Sequence, residues 1–353
     1  MRLQNLPLKK LEDLPFKPIR GSLYDSRELL EGFDPRRPQS LVQVPDFQTY
    51  RYFVMNGRAA PADAVAGMME ALHDNSILEA MLEFLRHHPK IAAIMGGHGE
   101  PRGSSTYRQV LEISRKLSAK GYLMASGGGP GAMEATHLGT LLSSASRAGA
   151  ERVVTRLARR AAKLPDSHAV VNSRGVVNRR LVAQLHAWMV PAYELLGDLA
   201  GHGRPSLGVP TWHYGHEPLT PLATHIAKYF QNSVREDVLL ALATNGIVFT
   251  RGKAGTLQEV FQSANKNYYL SGSEPFAPMV FFDRTYWTEE LPVYWLLRNL
   301  FVNNGRGANF RNHVLFTDEV DEAVDFIAGL KPRPQRLSDR LEVLGLSRPP
   351  PLL

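Results

Sequence analysis

The stretch Tyr122-Leu-Met-Ala-Ser-Gly-Gly-Gly-Pro-Gly131 decides the fold of this 353-residue chain. Its first half is a short apolar run, which is typical of a buried strand. Its second half is a turn rich in glycine, and glycine permits backbone shapes that are closed to other residues. A helical pattern over 132–142 follows at once. The stretch therefore predicts a strand, a glycine turn and a helix in direct succession.

The same alternation continues on both sides of this unit. Toward the N-terminus, the pattern predicts a strand at 91–95 and a helix at 107–119. Toward the C-terminus it predicts strands at 206–210, 247–250, 278–282 and 314–316, with helices at 234–243, 257–268, 290–301 and 319–330. Strands that alternate with helices predict an α/β fold class, here a Rossmann-like doubly wound parallel sheet with helices on both faces.

Residues 1–90 form an N-terminal extension to this Rossmann-like domain, which spans 91–330. We predict an irregular arm over 1–60, because Pro and Arg are frequent there and the apolar pieces are short. Two helices follow at Pro61–His73 and Ile77–His88, and Asp74 or Ser76 is positioned to cap the second.

Two further segments lie outside the alternation. Residues 146–205 are rich in Arg and Ala, and we interpret them as a helical insertion in the domain. The Pro-rich tail at 331–353 is expected to pack as an arm or to be loose.

The composition excludes several classes of function. The chain has no cysteine, which excludes disulfides, thiolate zinc sites and thiol catalysis. No apolar run approaches the roughly 18 residues that a membrane span needs, so no membrane partner is predicted. Residues 1–14 lack the apolar run of a signal peptide. We therefore expect a cytoplasmic protein.

The formal net charge of +7 favours anionic partners. Much of the basic character lies in Arg152–Lys163 and in Arg174, Arg179 and Arg180. A solvated helix face is the favoured interpretation of these residues. Nucleic-acid binding is the weaker alternative, since no aromatic residues interleave with the arginines to stack on bases.

Glycine-rich loops leave the ends of three predicted strands, at Gly96–Gly103, Ser126–Gly131 and Arg251–Thr256. In open α/β sheets, ligands bind beyond the carboxyl ends of the strands. A helix that starts after such a loop directs free N–H groups and a positive dipole end at an anion. Each loop alone is compatible with a tight turn, but three together favour a phosphate-binding crevice.

Spacing excludes two familiar phosphate motifs. The Walker pattern requires Ser or Thr directly after Gly-Lys, whereas Ala254 follows Gly252-Lys253 here. The dinucleotide pattern G-x-G-x-x-G is also absent, because the glycines of Ser126–Gly131 have another spacing. A kinase or an NAD-dependent dehydrogenase is thus disfavoured. Lys253 remains a candidate phosphate contact, with a solvated loop lysine as the alternative.

Two segments carry a resemblance to a known family. Ser126-Gly-Gly-Gly-Pro-Gly-Ala-Met-Glu-Ala135 resembles the T-G-G-G-P-G-I-M-E-A signature of the Lonely Guy family of cytokinin-activating phosphoribohydrolases. Arg251-Gly-Lys-Ala-Gly-Thr-Leu-Gln-Glu259 is similar to that family's second signature, P-G-G-x-G-T-x-x-E. The resemblance covers 91–145 and 206–330. With its extra helical regions, the chain looks nearer to the extended bacterial nucleotide 5′-monophosphate nucleosidases.

The resemblance implies hydrolysis of an AMP-like nucleoside 5′-monophosphate into base and ribose 5-phosphate. It assigns catalysis to an arginine and a glutamate, which map onto Arg235 and Glu259. It also implies a homodimer or a larger homo-oligomer. The substrate- and phosphate-binding residues that we expect are Gly97, Ser126, Gly127, Gly128, Gly129, Gly131, Met133, Glu134, Gly252, Lys253, Ala254, Gly255 and Thr256.

The second signature departs from the family pattern, since Arg251 and Lys253 replace a proline and a glycine. The arrangement of backbone N–H groups in this loop is therefore altered, and the loop gains positive charge. This leaves open a non-catalytic protein that binds or carries a nucleotide or molybdenum cofactor. A literal lysine decarboxylase, the label that older annotation gives the family, is rejected because nothing marks a Schiff-base lysine.

Other polar residues near strand ends are weaker candidates. His98, Glu100 and Arg102 can contact a base or ribose, but a solvated loop is the favoured interpretation of each. His213 and His216 have only Glu217 as a nearby carboxylate, so a local metal site is not expected. No metal and no cofactor are predicted.

Overall fold

A parallel sheet forms the centre of the protein in the computed structural model, which describes residues 14–61, 63–199, 201–213, 218–270 and 276–330. The strands are β1 (Ile91–Met95), β2 (Leu123–Ser126), β3 (Ser206–Gly208), β4 (His225–Ile226), β5 (Ile247–Phe249), β6 (Met279–Phe282) and β7 (Val314–Thr317). Their order is β4-β3-β2-β1-β5-β6-β7, and every neighbouring pair is parallel. The predicted doubly wound α/β class is confirmed.

Alternate residues of each central strand enter two different apolar clusters, one on each face of the sheet. In β1, Ile91, Ala93 and Met95 belong to the larger cluster and Ala92 and Ile94 to the smaller. Burial on both faces explains why these strands appear in the sequence as continuous apolar runs.

Helices cover both faces of the sheet. The larger cluster packs against α1 (Ser26–Leu29), α2 (Pro45–Met55), α3 (Ala64–Leu85), α8 (Asn232–Leu242), α9 (Ala254–Tyr269), α10 (Val293–Val302) and α11 (Gly307–His313). The smaller packs against α4 (Ser105–Ala119), α5 (Ala132–Leu141), α6 (Arg147–Arg160) and α12 (Val320–Gly329). Helix α7 (Arg179–Asp198) contributes residues to both clusters.

The N-terminal extension differs from its prediction. One helix, α3, replaces the two helices expected at 61–73 and 77–88, and its N-cap is Asp63, which accepts the Val65 N–H at 2.9 Å. Asp74 and Ser76 lie inside this helix and do not cap it. The Ser76 hydroxyl donates to a carbonyl of its own helix, so the polar pair does not interrupt the hydrogen-bond ladder.

The arm predicted at 1–60 is also more regular than expected over its described part, where α1, a 3₁₀ helix at Pro38–Val42 and α2 occur. Pro45 stands at the first position of α2, where the missing N–H costs nothing. The sequence pattern also missed β4, a π-helical turn at Tyr286–Glu290 and α11. Each has seven residues or fewer, which is too short to display a clear period.

The insertion at 146–205 consists mainly of α6 and α7, which pack against each other. Arg152, Arg156, Arg159 and Arg160 are exposed on α6, as predicted for a solvated helix face. Arg156 forms an ion pair with Asp198 of α7 at 3.0 Å. The tail at 331–353 and the first thirteen residues lie outside the described residues. Within the described ranges, no helix combines the length and the apolar character that crossing a membrane requires.

Candidate functional site

The glycine loops that the sequence singled out follow β1, β2 and β5, which are adjacent strands in the order β2-β1-β5. The chain builds outward from β1 to β4 and then returns to place β5 on the other side of β1. The sheet therefore reverses its order between β1 and β5, and such a switch point leaves a crevice outside the strand ends. The tertiary structure brings all three loops to that crevice.

Gly97 links the loops through its backbone. Its N–H donates to the Arg251 carbonyl at 2.9 Å, and its own carbonyl accepts the Ala132 N–H at 3.2 Å. A Cβ at the preceding Gly96 would lie 2.8 Å from Cβ of Ala132. Glycine is required at position 96 because the side chains of Ala132 and Thr250 occupy the space that a Cβ would need.

The turn Ser126–Gly131 is buried throughout. Gly128 and Gly131 have φ of +72° and +68°, a conformation that side chains disfavour. The Gly128 carbonyl accepts the Thr220 N–H at 3.0 Å, and all residues of the covering segment 218–223 are buried as well. The first signature thus lies beneath another segment of the chain and is not open to solvent.

The Ser126 hydroxyl points into the protein. It lies 2.8 Å from Nε2 of His137, and it accepts the Gly128 N–H at 3.2 Å. The other ring nitrogen of His137 lies 2.9 Å from the Ser206 hydroxyl. Burial lowers the pKa of His137 to about 3, so the ring is neutral at physiological pH. The Ser126 hydroxyl therefore stabilises the turn from its buried side. No sequence pattern had indicated a role for His137.

Arg235 and Glu259, the two residues implied to be catalytic, lie together. Nη1 of Arg235 lies 3.6 Å from Oε1 of Glu259, and Nε donates to the Val209 carbonyl at 3.0 Å. A Cβ on Gly127 would collide with the Arg235 guanidinium and lie 2.6 Å from Sδ of Met133. Arg235 thus extends from α8 to the first signature and to the first turns of α9.

Glu259 is 9% exposed, and burial raises the pKa of its carboxyl group to about 7, against the opposing effect of the Arg235 charge. The nearby Glu236 raises this pKa further. A carboxyl group with this pKa exists in both protonation states near neutral pH, which suits it to general acid or base work.

A second carboxylate faces Arg235, and sequence reasoning did not single it out. Oε1 of Glu236 lies 3.8 Å from Nη1 of Arg235. Its oxygens also accept hydrogen bonds from the side-chain amides of Asn232 at 2.8 Å and Gln258 at 2.6 Å. Glu236 is therefore held in place by α8 and α9 together, and it adds negative charge beside the guanidinium.

The second signature has a different arrangement from the first. The Arg251 side chain forms ion pairs with Asp283 and Glu290. The Tyr286 hydroxyl donates to the Gly252 carbonyl. The charge gained at Arg251 is therefore neutralised by Asp283, directly after β6, and by Glu290, at the end of the π-helical turn, and is not available as a free phosphate contact.

Lys253 is exposed and is the N-cap residue of α9, which begins earlier than the sequence predicted. Ala254 and Gly255 are exposed and Thr256 is buried. The Lys253 side chain makes no capping hydrogen bond to this helix, and the helix starts where the loop after β5 ends.

Glu134, expected to bind substrate, lies in a buried ion pair. Arg102 donates to both of its oxygens at 2.7 Å, and the Tyr107 hydroxyl donates to one of them at 2.9 Å. Arg102 also donates to the Trp188 carbonyl at 2.8 Å and stacks over that ring, 3.8 Å from its centroid. The interpretation of Arg102 as a solvated loop residue is wrong, because its side chain is buried and its hydrogen bonds link the first loop to α5 and to the insertion.

The remaining weak candidates are scattered. His98 is exposed, and Glu100 accepts a hydrogen bond from the Ser104 hydroxyl. His213 is half-buried, whereas His216 and Glu217 fall outside the described residues. Across the described part of the chain, no three His, Cys, Asp or Glu side chains are grouped as metal ligands.

The crevice therefore combines a buried glycine turn, an uncapped helix start with a lysine, and a close arginine–glutamate pair. No protein-family model matches this chain, and no curated protein matches it significantly in sequence.

Proposed function

We propose that the protein is a phosphoribohydrolase that cleaves a nucleoside 5′-monophosphate into a free base and ribose 5-phosphate. The observation that carries the proposal is the pair formed by Arg235 and Glu259, 3.6 Å apart, at the crevice where the three glycine loops meet. The resemblance of the two loop sequences to the Lonely Guy signatures supports the same reaction.

The 5′-phosphate binds at the start of α9. The N–H groups of Ala254 and Gly255 are uncapped there, and the ammonium group of Lys253 lies at the same end of the helix. Backbone donors and a helix dipole favour an anion at this position. The ribose then lies toward Gly97 and Glu259.

In the reaction, water adds to C1′ of the ribose while the bond from C1′ to the base nitrogen breaks. The transition state resembles an oxocarbenium ion, as in the hydrolysis of O-glycosides. The Glu259 carboxylate accepts the proton of the attacking water, and it also stabilises the positive charge at C1′. The base leaves with the bonding electron pair and takes up a proton from solvent, and Glu259 then releases to solvent the proton that it accepted. Arg235 orients Glu259 and donates hydrogen bonds to the substrate.

Incubation of the purified protein with AMP, GMP, IMP, CMP and UMP tests the proposal, with free base and ribose 5-phosphate measured by chromatography. We expect release of base from at least one of them, and loss of that release in Glu259→Gln. The control is Glu83→Gln, which removes an exposed carboxylate far along α3. No base release from any of the five nucleotides overturns the proposal.

A nucleotide-binding protein without turnover is the second candidate. It is favoured by the neutralised Arg251 and by the low exposure of Arg235 and Glu259, at 8% and 9%. A ligand that binds only the folded state raises the melting temperature. Strong thermal stabilisation by a nucleotide, together with no release of base, is the result that selects this candidate.

A further inference from the structure

The N-terminal extension contributes a buried polar network to the region beside the candidate site. The Tyr24 hydroxyl lies 2.8 Å from Nε2 of His73, and Nδ1 of the same ring lies 3.1 Å from Oδ1 of Asp74. All three residues are at most 5% exposed. Each of these groups holds its neighbour in position, because a buried polar group without a hydrogen-bond partner is energetically costly.

Asp74 connects this network to the start of α8. Its two carboxylate oxygens accept the backbone N–H groups of Phe230 and Gln231, both at 2.9 Å. Gln231 is the N-cap residue of α8, and the N–H of Arg235 donates to the Gln231 carbonyl at 3.3 Å. A chain of hydrogen bonds therefore leads from Asp74 to the backbone of Arg235.

The helix that carries Arg235 lacks a cap of its own. The Gln231 side chain makes no capping hydrogen bond to α8, so the carboxylate of Asp74 fixes this end of the helix from another element. The same segment is held a second time, because Nζ of Lys228 lies 2.6 Å from Oδ1 of Asp46 on α2. Two carboxylates of the extension thus clamp the four residues that precede α8.

We propose that Asp74 is a positioning residue for Arg235, and that the N-terminal extension completes the candidate site by holding the start of α8. The catalytic meaning of this role rests on the proposed function. The geometric role stands without it, because the position of Arg235 determines the charge that Glu259 experiences.

Several titratable groups surround Asp74. His73 faces it from the same helix, and burial lowers the pKa of His73, which favours the neutral ring. Glu70 lies one turn earlier on α3, and its Oε1 has no hydrogen-bond partner among the residues that the structure describes. Burial and then the Asp74 charge raise the pKa of Glu70 to about 7. Arg20, whose guanidinium lies 3.5 Å from the centroid of the Tyr24 ring, and the phenol groups of Tyr24 and Tyr229 are further titratable groups around the network.

The test measures the pKa of Glu259 in the full-length protein without substrate, by following its side-chain ¹³C signal against pH. Glu259→Gln assigns the signal. In Asp74→Asn and Asp74→Ala we expect this pKa to rise by roughly half a unit to one unit, because Arg235 moves away and no longer stabilises the carboxylate. Tyr24→Phe, which removes only the far end of the network, should give a smaller rise.

Asn245→Ala is the matched control. Asn245 is a buried side chain whose oxygen accepts the Ile91 N–H at 2.7 Å, at the amino ends of β1 and β5. It follows the C-terminal end of α8, so its loss destabilises the protein while the start of α8 keeps its contacts with Asp74. We expect the pKa of Glu259 to stay unchanged in this variant.

An unchanged Glu259 pKa in the Asp74 variants overturns the proposal, whether or not the protein releases base from nucleotides. If both Asp74 variants fail to fold, an unchanged pKa in Tyr24→Phe overturns it. The proposed function fails in a different way: the wild type releases no base, while the pKa of Glu259 still changes in the Asp74 variants.

Discussion

The Arg235 guanidinium lies 3.6 Å from the Glu259 carboxylate, although the two side chains belong to different helices, which precede and follow strand β5 in the chain. Both approach the same point because α8 ends at the start of β5 and α9 begins at its end. A charge pair that joins two helices in this way depends on the packing of both, and its electrostatics provide the most direct tests of the site.

The pH dependence of base release should follow the ionisation of Glu259. If the carboxylate is the form that accepts a proton from water, the rate rises with pH and has its midpoint near the raised pKa of about 7. In Arg235→Gln the favourable charge is lost, so the midpoint should move to higher pH and the maximal rate should fall by roughly 10²-fold or more. Rates between pH 5 and 9 measure both effects, and a flat profile contradicts the role of Glu259.

Gly127→Ala should displace Arg235. The added Cβ would collide with its guanidinium and would lie 2.6 Å from Sδ of Met133. We expect base release to fall by about tenfold or more, since small displacements in a site have large kinetic effects.

Gly197→Ala is the control for this substitution. No atom lies within 4 Å of the Cβ that it would add inside α7, so it should raise the free energy of unfolding by about 0.5–1 kcal/mol and leave the rate unchanged. Chemical denaturation separates stability from activity in both variants. Equal rates in the wild type and Gly127→Ala contradict the prediction.

Arg102→Leu should destabilise the protein strongly, because Glu134 then remains buried without its partner. Loss of one member of a buried ion pair costs about 3–5 kcal/mol. The control is Arg156→Leu, which removes an exposed ion pair with Asp198 and should cost less than about 1 kcal/mol. Urea unfolding of both variants measures the difference, and similar losses in the two would contradict a structural role for Arg102.

Glu70→Gln should change how stability depends on pH. The pKa of Glu70 is raised from 4.5 to about 7 in the folded protein, so the folded state holds a proton that the unfolded chain releases within this interval. The stability that depends on this proton is complete below pH 4.5 and is lost as the pH rises through 7.

The glutamine variant cannot titrate and should keep its stability over that range. Relative to the wild type, its free energy of unfolding should rise by about 1–3 kcal/mol between pH 4.5 and pH 8. Comparing the two proteins at both pH values cancels any constant cost of the buried amide. A difference that does not change with pH would show that Glu70 ionises normally.

Sequence reasoning predicted the alternation of strands and helices from residue 91 onward, and the observed bounds differ from it by only a few residues at most ends. The reason is local, since strands that are buried on both faces must be apolar and glycine turns must separate them from the next helix. The extension was predicted less well. Asp74 and Ser76 look like capping residues in sequence, yet they lie inside a single helix.

The candidate site was predicted in part. The loops came from glycine content, and the pairing of Arg235 with Glu259 came from the resemblance of the signatures. His137, Glu236 and the anchoring role of Asp74 had no sequence signal, because a single polar residue in an apolar helix does not indicate its partner. Arg102 and Glu134 are likewise 32 positions apart in the chain and meet only through α5.

The sequence by itself determined the class of fold and the positions of the glycine loops, because local periodicity and backbone freedom are properties of short segments. The tertiary structure decided the strand order, which puts β5 beside β1 and brings the three loops to one crevice. It also decided which charges form ion pairs within the protein, as those of Arg251 and Arg102 do, and which stay exposed at a helix start, as that of Lys253 does. These outcomes depend on contacts between residues far apart in the chain, and no local pattern encodes them.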